Sequence, residues 1–409
     1  MKTIAFYTFG CKTNQYETQL MIESIVNQYK VVDKSTKADI YVINSCAVTK
    51  SASDQSRHTL RKLQRQNPNS HIIYTGCDSY LINKDDYFDA NNLHIVGNKY
   101  KYDILSAIKC SVDTSLSTKT YNIDKIVSFW KKSRPFVKIQ EGCNNFCSYC
   151  VVAHLRGIQR CKDSSLVIKE IENFARQGFG EIVLTGTNIG SYENLKELLR
   201  KIDSLKYNFR IRLSSIEPMY VDKELIDIIA SGKFAKHLHI PLQSASDRIL
   251  KLAHRNYTAY DFEKIVDYAS KKGIFIGTDI IVGFEETDED FLATYKFIEN
   301  NDIVFAHIFT YSHRPFTKEV SNYVNNNTLK ERSNKLKELI NVKFKQKMQQ
   351  FINKSTQIIV QQKRTFVQND EYNLALASQY FKVLTKIEEK GLIEGKITNF
   401  DGVYAYFER

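Results

Sequence analysis

The chain has 409 residues, 43% hydrophobic and 25% charged, a balance that excludes a disordered or fibrous class and predicts two or three folded domains. No run of about 18 apolar residues occurs, which excludes a spanning helix. The N-terminus passes straight into a strand-like pattern without a secretory cleavage region, so a cytoplasmic location and no membrane partner are expected. Net charge is +12. Residues 330–364 hold ten Lys/Arg against two acids, and residues 119–140 six against one. Such clustering points to an acidic polymer, nucleic acid first, with a solvated lysine-rich face as the alternative. Eight cysteines in a chain of this length point to metal or catalysis rather than disulfides.

In chain order, residues 3–9 read as a strand ending at Gly10-Cys11, followed by a helix from about Gln15. A second strand, 39–44, ends just before Cys46, and a helix covers about 51–66. A third strand, 71–75, ends at Gly76-Cys77, and 93–96 is a fourth apolar run. Strands alternating with helices predict a doubly wound parallel α/β sheet. Cys11, Cys46 and Cys77 each follow a strand, one βα unit apart. In a parallel sheet these positions share one edge, where ligands bind, so the three thiols are expected to converge as a metal site. The alternative is three small buried hydrophobes. The polar run 113–118 marks a boundary, and Cys110 beside it has no motif. The N-terminal domain is placed at 1–112.

Residues 134–312 repeat strand then helix six times, with strands near 135–140, 181–186, 210–216, 237–242, 275–283 and 303–311. Six βα units predict an open (β/α)6 partial barrel within a domain at 129–345, with its chemistry at the C-terminal strand ends. The run Cys143-Asn144-Asn145-Phe146-Cys147-Ser148-Tyr149-Cys150 follows the first strand. Its C-x3-C-x2-C spacing brings three soft thiolates to one centre. Three cysteines on a four-iron cluster leave one iron open. The alternative is zinc, with Cys161 or His154 as fourth ligand. Thr185, Ser214, Glu217 and Gln243 stand at other strand ends as candidate cofactor contacts, or as hydrogen-bonding groups of the barrel interior. Arg156 and Arg160 are read as exposed arginines for a cofactor carboxylate or an RNA phosphate, or for neither, and His239 as core. Residues 328–352 form a basic amphipathic helix with Leu336, Ile340, Phe344 and Met348 inward and lysines outward. Four β-like runs, 356–361, 381–386, 392–398 and 403–407, predict a small antiparallel barrel in a domain at 346–409.

These residues resemble the radical S-adenosylmethionine methylthiotransferases. The resemblance is carried by Thr8–Thr18, Asn44-Ser45-Cys46-Ala47-Val48-Thr49, Thr75-Gly76-Cys77, Gly142–Cys150, Arg156-Gly157, Leu184-Thr185-Gly186, Arg212-Leu213-Ser214-Ser215, Glu217-Pro218 and Ile240-Pro241-Leu242-Gln243-Ser244. It implies a three-cysteine N-terminal domain, a radical domain and a C-terminal TRAM-like barrel. It implies that Cys143, Cys147 and Cys150 hold the catalytic [4Fe-4S] cluster, and that Cys11, Cys46 and Cys77 hold an auxiliary one. Tyr149 would pack near the adenine of S-adenosylmethionine, with ordinary loop packing as the alternative. The implied partners are tRNA and a flavodoxin- or ferredoxin-type electron donor, and a monomer is expected. The run Lys12-Thr13-Asn14-Gln15-Tyr16-Glu17 resembles the branch acting on N6-threonylcarbamoyladenosine in tRNA. The alternatives are the branches acting on isopentenyladenosine or a ribosomal protein, and, in another class, an RNA-binding module with structural metal sites. Lys12 or Arg156 is the expected partner of the threonylcarbamoyl carboxylate. The chain departs from the family in a shortened Gly283-Phe284-Glu285-Glu286-Thr287 loop, and in Ala245 and Phe316 where glycine is usual; Ala153-His154 replaces a proline-aromatic pair.

Overall fold

The computed structural model describes residues 1–83, 92–109, 133–321, 323–367 and 370–409, with the backbone alone at Gln362. Cys110, the polar run 113–118 and the basic residues 119–132 lie outside the described residues. The chain divides into two compact units. One comprises Met1–Trp130, Glu141–Lys162 and Ser312–Lys318, and the other Lys131–Gln140, Asp163–Tyr311 and Glu319–Arg409.

The first unit is built on strands β1 (Thr3–Thr8), β2 (Lys30–Val31), β3 (Ile40–Ser45), β4 (His71–Gly76) and β5 (Leu93–Ile95). They form one parallel sheet in the order β2-β1-β3-β4-β5. Strand periodicity sends alternate residues to opposite faces. Tyr41, Ile43, Ile72 and Tyr74 pack on one face with Leu60 and Leu63 of helix α2 (Lys50–Gln66). Ile40, Val42 and Ile73 pack on the other with Met21 and Ile25 of helix α1 (Lys12–Ile25). Both faces are covered, which is why β3 is buried along its whole length. Helix α2 starts at Thr49, whose hydroxyl accepts the Ala52 amide at 3.2 Å. The chain reverses between β1 and β3, and at such a switch point a doubly wound sheet opens a crevice beyond its strand ends. The two-residue edge strand β2 is too short to show in the sequence pattern.

The second unit contains six parallel strands: Phe136–Lys138, Glu181–Thr185, Arg210–Leu213, His237–His239, Phe275–Val282 and Ile303–Thr310. They are neighbours in sequence order, three in one sheet and three in a second. An isolated parallel bridge pairs Ile211 with Phe234, just ahead of the strand His237–His239. The helices Ala259–Lys271 and Asp288–Asn300 both begin with capping boxes, Thr258/Asp261 and Thr287/Asp290.

The C-terminal barrel is closed by five strands: Ser355–Val367, Asp370–Ala377, Lys382–Thr385, Leu392–Phe400 and Ala405–Glu408. The expectation of an all-antiparallel barrel needs correction, because Lys382–Thr385 pairs with Ala405–Glu408 in parallel and closes the ring. The polar start Asp370-Glu371 hid the second strand from the sequence pattern. Buried arginines tie this barrel to the parallel strands. Arg210 donates to the carbonyls of Gln357 (2.8 Å) and Leu376 (3.1 Å), and Arg212 to those of Ala377 (3.0 Å) and Ser378 (3.2 Å). Glu181, fully buried, accepts from both arginines at 2.6 and 2.9 Å and from Arg134 at 2.9 Å.

Helix Asn326–Gln349 packs Met348 into the barrel core, and the Phe344 ring meets Phe305 at a tilt and Phe400 edge to face. Its lysines do not all face outward, contrary to the sequence expectation. Lys343 donates to the Glu299 carbonyl at 2.8 Å, and Lys347 pairs with Asp302 at 2.5 Å. Lys330, Lys337 and Lys345 are exposed.

Candidate cluster sites and cofactor wall

The ends of β1, β3 and β4 carry Cys11, Cys46 and Cys77 on the same edge of the sheet, the first two flanking the switch point. Two glycines permit the close approach. A Cβ on Gly10 would fall 2.4 Å from the Cys46 sulfur, and one on Gly76 2.4 Å from the Ser45 carbonyl oxygen. Both have positive φ (80° and 94°), which side chains rarely adopt. Cys46 and Cys77 are buried while Cys11 is exposed. Burial first, then repulsion from Cys11 and Cys77, pushes the Cys46 thiol up to about 12. Burial also pushes Cys77 up, against the pull of Arg156 and Lys101. Three thiols sensing one another beside two cations are a donor set fit for a cluster, whose binding must displace protons.

A buried polar network stands beside them, and the sequence reading missed it. Glu17 accepts from Arg156 at 2.9 Å, from Tyr102 at 2.9 Å and from Lys101. Arg156 also donates to Asn14 Oδ1 (2.6 Å) and Glu141 (3.3 Å). Asn14 in turn donates to the carbonyls of Phe9 (2.9 Å) and Ser45 (2.8 Å), bracing the ends of β1 and β3. Burial would lower Arg156, but Cys77, Glu17, Cys11 and Glu141 outweigh it and hold its guanidinium charged. This corrects the expectation of an exposed arginine. Arg156 is 7% exposed, and its guanidinium donates to Glu17, Asn14 and Glu141. Arg160 stays largely exposed, 3.7 Å from Glu141.

The Cys143–Cys150 loop belongs to the same unit. The Cys143 amide donates to Gly157 O (3.1 Å), the Cys150 amide to Cys147 O (2.9 Å), and the Lys318 amide to Ser148 O (2.8 Å). The three cysteines and Tyr149 are half-buried. Val151 and Leu155, just beyond the loop, share an apolar cluster with Ala47 and Cys77. Phe146 projects at 51% exposure, its ring 5.8 Å from that of His154, which lies 5.7 Å from Phe316. Phe316 has φ 67°, so the residue replacing the family's glycine keeps a glycine conformation at a cost of about 1–3 kcal/mol. Ala245 needs no positive φ and fits without that strain. The shortened loop bends at Glu285 (φ 51°). It is held by Glu286, which accepts the Gly283 amide at 3.1 Å and pairs with Arg332 at 2.7 Å.

In the second unit, Thr185 is buried and Ser214, Glu217 and Gln243 are half-buried at or just beyond strand ends. Glu217 is paired with Arg255. Gln243 holds φ 66° while its amide donates to Asp279 O (2.8 Å) and its carbonyl accepts from Ile281 (3.0 Å). Among the described residues, the hydroxyls of Ser214 and Thr187 and both amide atoms of Asn188 are buried without a hydrogen-bond partner. Such groups cost stability unless a ligand satisfies them. They lie beyond two adjacent strands and fit the polar groups of S-adenosylmethionine. The sequence reading missed Asn188 and Thr187, although Thr185 just before them already stood at a predicted strand end.

Residues 137–298 match the Radical SAM superfamily, and residues 3–97 the Uncharacterized protein family UPF0004. The threonylcarbamoyladenosine tRNA methylthiotransferase MtaB of Aquifex aeolicus is 37% identical, covering 77% of this chain and 82% of its own. That of Bacillus subtilis is 34% identical over 94% and 91%. A tRNA-2-methylthio-N(6)-dimethylallyladenosine synthase of Thermodesulfovibrio yellowstonii is 35% identical over 77% of each. The solved radical S-adenosylmethionine methyltransferase TsrM of Kitasatospora setae has the same fold over 76% of this chain and 73% of its own, with a TM-score of 0.56 at 15% identity.

Proposed function

The chain belongs to the radical S-adenosylmethionine tRNA methylthiotransferases, and from that membership we propose that it transfers a methylthio group to C2 of N6-threonylcarbamoyladenosine at position 37 of tRNA. Family membership already carries a [4Fe-4S] cluster, S-adenosylmethionine and a tRNA substrate. The finer reading assigns that cluster to Cys143, Cys147 and Cys150, and a second to Cys11, Cys46 and Cys77, with two S-adenosylmethionines used per turnover. Bound there, the cluster and S-adenosylmethionine supply radical chemistry, which the C2–H bond requires because it has no acidic proton. The protein's own groups bind and orient. Thr185, Ser214 and Gln243, with the orphaned Asn188 and Thr187, hold the polar groups of the cofactor, and Glu217, already paired with Arg255, lines the same wall. Tyr149 packs near the adenine. The six parallel strands are read as an open (β/α)6 partial barrel and the closed C-terminal ring as a TRAM-like tRNA-binding module. The domains fall at 1–112, 129–345 and 346–409. The electron comes from a flavodoxin- or ferredoxin-type donor, and the enzyme works as a cytoplasmic monomer.

The observation that carries the substrate assignment is the Cys11–Glu17 run, supported by the MtaB names among its relatives. Overall identity does not separate the branches, since the dimethylallyladenosine enzyme is as similar. With Arg156 bonded internally, the half-buried Lys12 beside Cys11 is the cation assigned here to the threonylcarbamoyl carboxylate. A cation left unpaired by an apolar isopentenyl group would discriminate against it. The test incubates reconstituted enzyme with tRNAs bearing either modification and analyses nucleosides by mass. Methylthiolation of the threonylcarbamoyl base is expected; methylthiolation of the isopentenyl base alone overturns the substrate while leaving the reaction class.

A further inference from the structure

His239, Asp279 and His307 stand on three adjacent parallel strands of the second unit, away from the six cluster cysteines in sequence. Asp279 is in register with His307, and His239 with Gly277 two residues earlier. His239 Nε2 lies 2.9 Å from Asp279 Oδ1, and His307 Nδ1 lies 3.0 Å from the same oxygen. The ligand-capable atoms of the three all fall within 4.8 Å of one another. Gly277 keeps the space clear, because a Cβ there would sit 3.0 Å from His239 Nδ1 and 3.1 Å from His237 Nε2. His239 and Asp279 are largely buried, while His307 is 64% exposed and opens the group to solvent.

From this geometry we propose that His239, Asp279 and His307 form a binding site for a divalent transition-metal ion, separate from both cysteine sets. Two imidazoles and one carboxylate are the donor set of facial triads and of open zinc sites. Zinc–ligand bonds of about 2.0–2.2 Å in tetrahedral array set ligands roughly 3.3 Å apart. The observed 2.9 and 3.0 Å spacings need to open by only a few tenths of an ångström. On binding, each imidazole gives the lone pair of the nitrogen now facing Asp279, and its other nitrogen carries the proton. In the metal-free protein the Asp279 oxygen accepts from both imidazoles, so binding must displace the protons that now lie between them. Three protein ligands leave the remaining positions, on the exposed His307 side, to water. No thiolate takes part, which distinguishes this ion from zinc misloaded into a cysteine site.

The test adds one equivalent of zinc to the anaerobically reconstituted full-length protein, removes free metal and measures zinc content, iron content and the zinc-edge X-ray absorption. The expected result is about one retained zinc with nitrogen and oxygen neighbours only and iron content unchanged. His307→Ala, at an exposed position that leaves the fold intact, and Asp279→Asn should each weaken zinc binding at least tenfold. Zinc that is not retained, that shows sulfur neighbours, or that survives both substitutions overturns the site. Because no readout is catalytic, these outcomes are independent of the substrate assignment.

Discussion

Glu181 shows how much a single residue can hold. Its carboxylate is fully buried between Arg210 and Arg212, which also donate to carbonyls of the C-terminal barrel. Burial would raise its pKa, but the paired arginines outweigh this and hold it well below the ordinary carboxylate range. A depressed folded pKa contributes stability above the unfolded value of about 4.3, and that stability is lost as pH falls through the folded pKa. Replacing Glu181 with Gln leaves two buried guanidinium groups without a counterion. The expected cost is about 3–5 kcal/mol at pH 7, seen as a lower urea midpoint. The variant should also lose less stability than the native chain as pH drops below about 4. An unchanged midpoint at pH 7 would show the arginines held by the carbonyls alone.

At the scale of elements, the basic helix Asn326–Gln349 separates into anchoring and free cations. Lys343 and Lys347 are tied to Glu299 and Asp302, while Lys330, Lys337 and Lys345 are exposed. Phosphate contacts make affinity fall steeply with salt, by nearly one unit of slope per contact. Charge reversal at Lys330, Lys337 and Lys345 should weaken tRNA binding and flatten its salt dependence by about 1–3 units of slope. The same reversal at Lys343 and Lys347 should instead lower thermal stability. A native salt slope in the first variant would reduce the helix to a solvated face. The division between the two sets was not legible in the sequence, because it depends on contacts 44 and 45 residues away. What was legible had local causes. Apolar runs bounded by Gly-Cys marked β1 and β4, and helical spacing marked Met348 as inward. The two-residue β2 and the polar-headed strand Asp370–Ala377 carried no such pattern. The Glu17–Lys101–Arg156 network joins residues 84 and 139 positions apart, so sequence spacing could not reveal it.

At the scale of the whole molecule, the sequence predicts two separable three-cysteine sets. Their ligands arrive by different means. Cys11, Cys46 and Cys77 depend on the long-range pairing of β1, β3 and β4, whereas Cys143, Cys147 and Cys150 lie within one eight-residue loop. The loop set can therefore assemble from local chain, and the sheet set only after the sheet has formed. Two four-iron clusters require about eight irons per reconstituted chain. Replacing Cys143, Cys147 and Cys150 together with Ala should leave about four irons and abolish reductive cleavage of S-adenosylmethionine. Replacing Cys11, Cys46 and Cys77 should also leave about four, yet 5′-deoxyadenosine should still form while methylthiolation ceases. Partial unfolding in urea distinguishes the two further. Iron held by the sheet set should be released with the loss of the N-terminal sheet's circular-dichroism signal. Stoichiometric zinc in place of iron, or loss of cleavage in both triple variants, would overturn the division into one radical-generating and one auxiliary site.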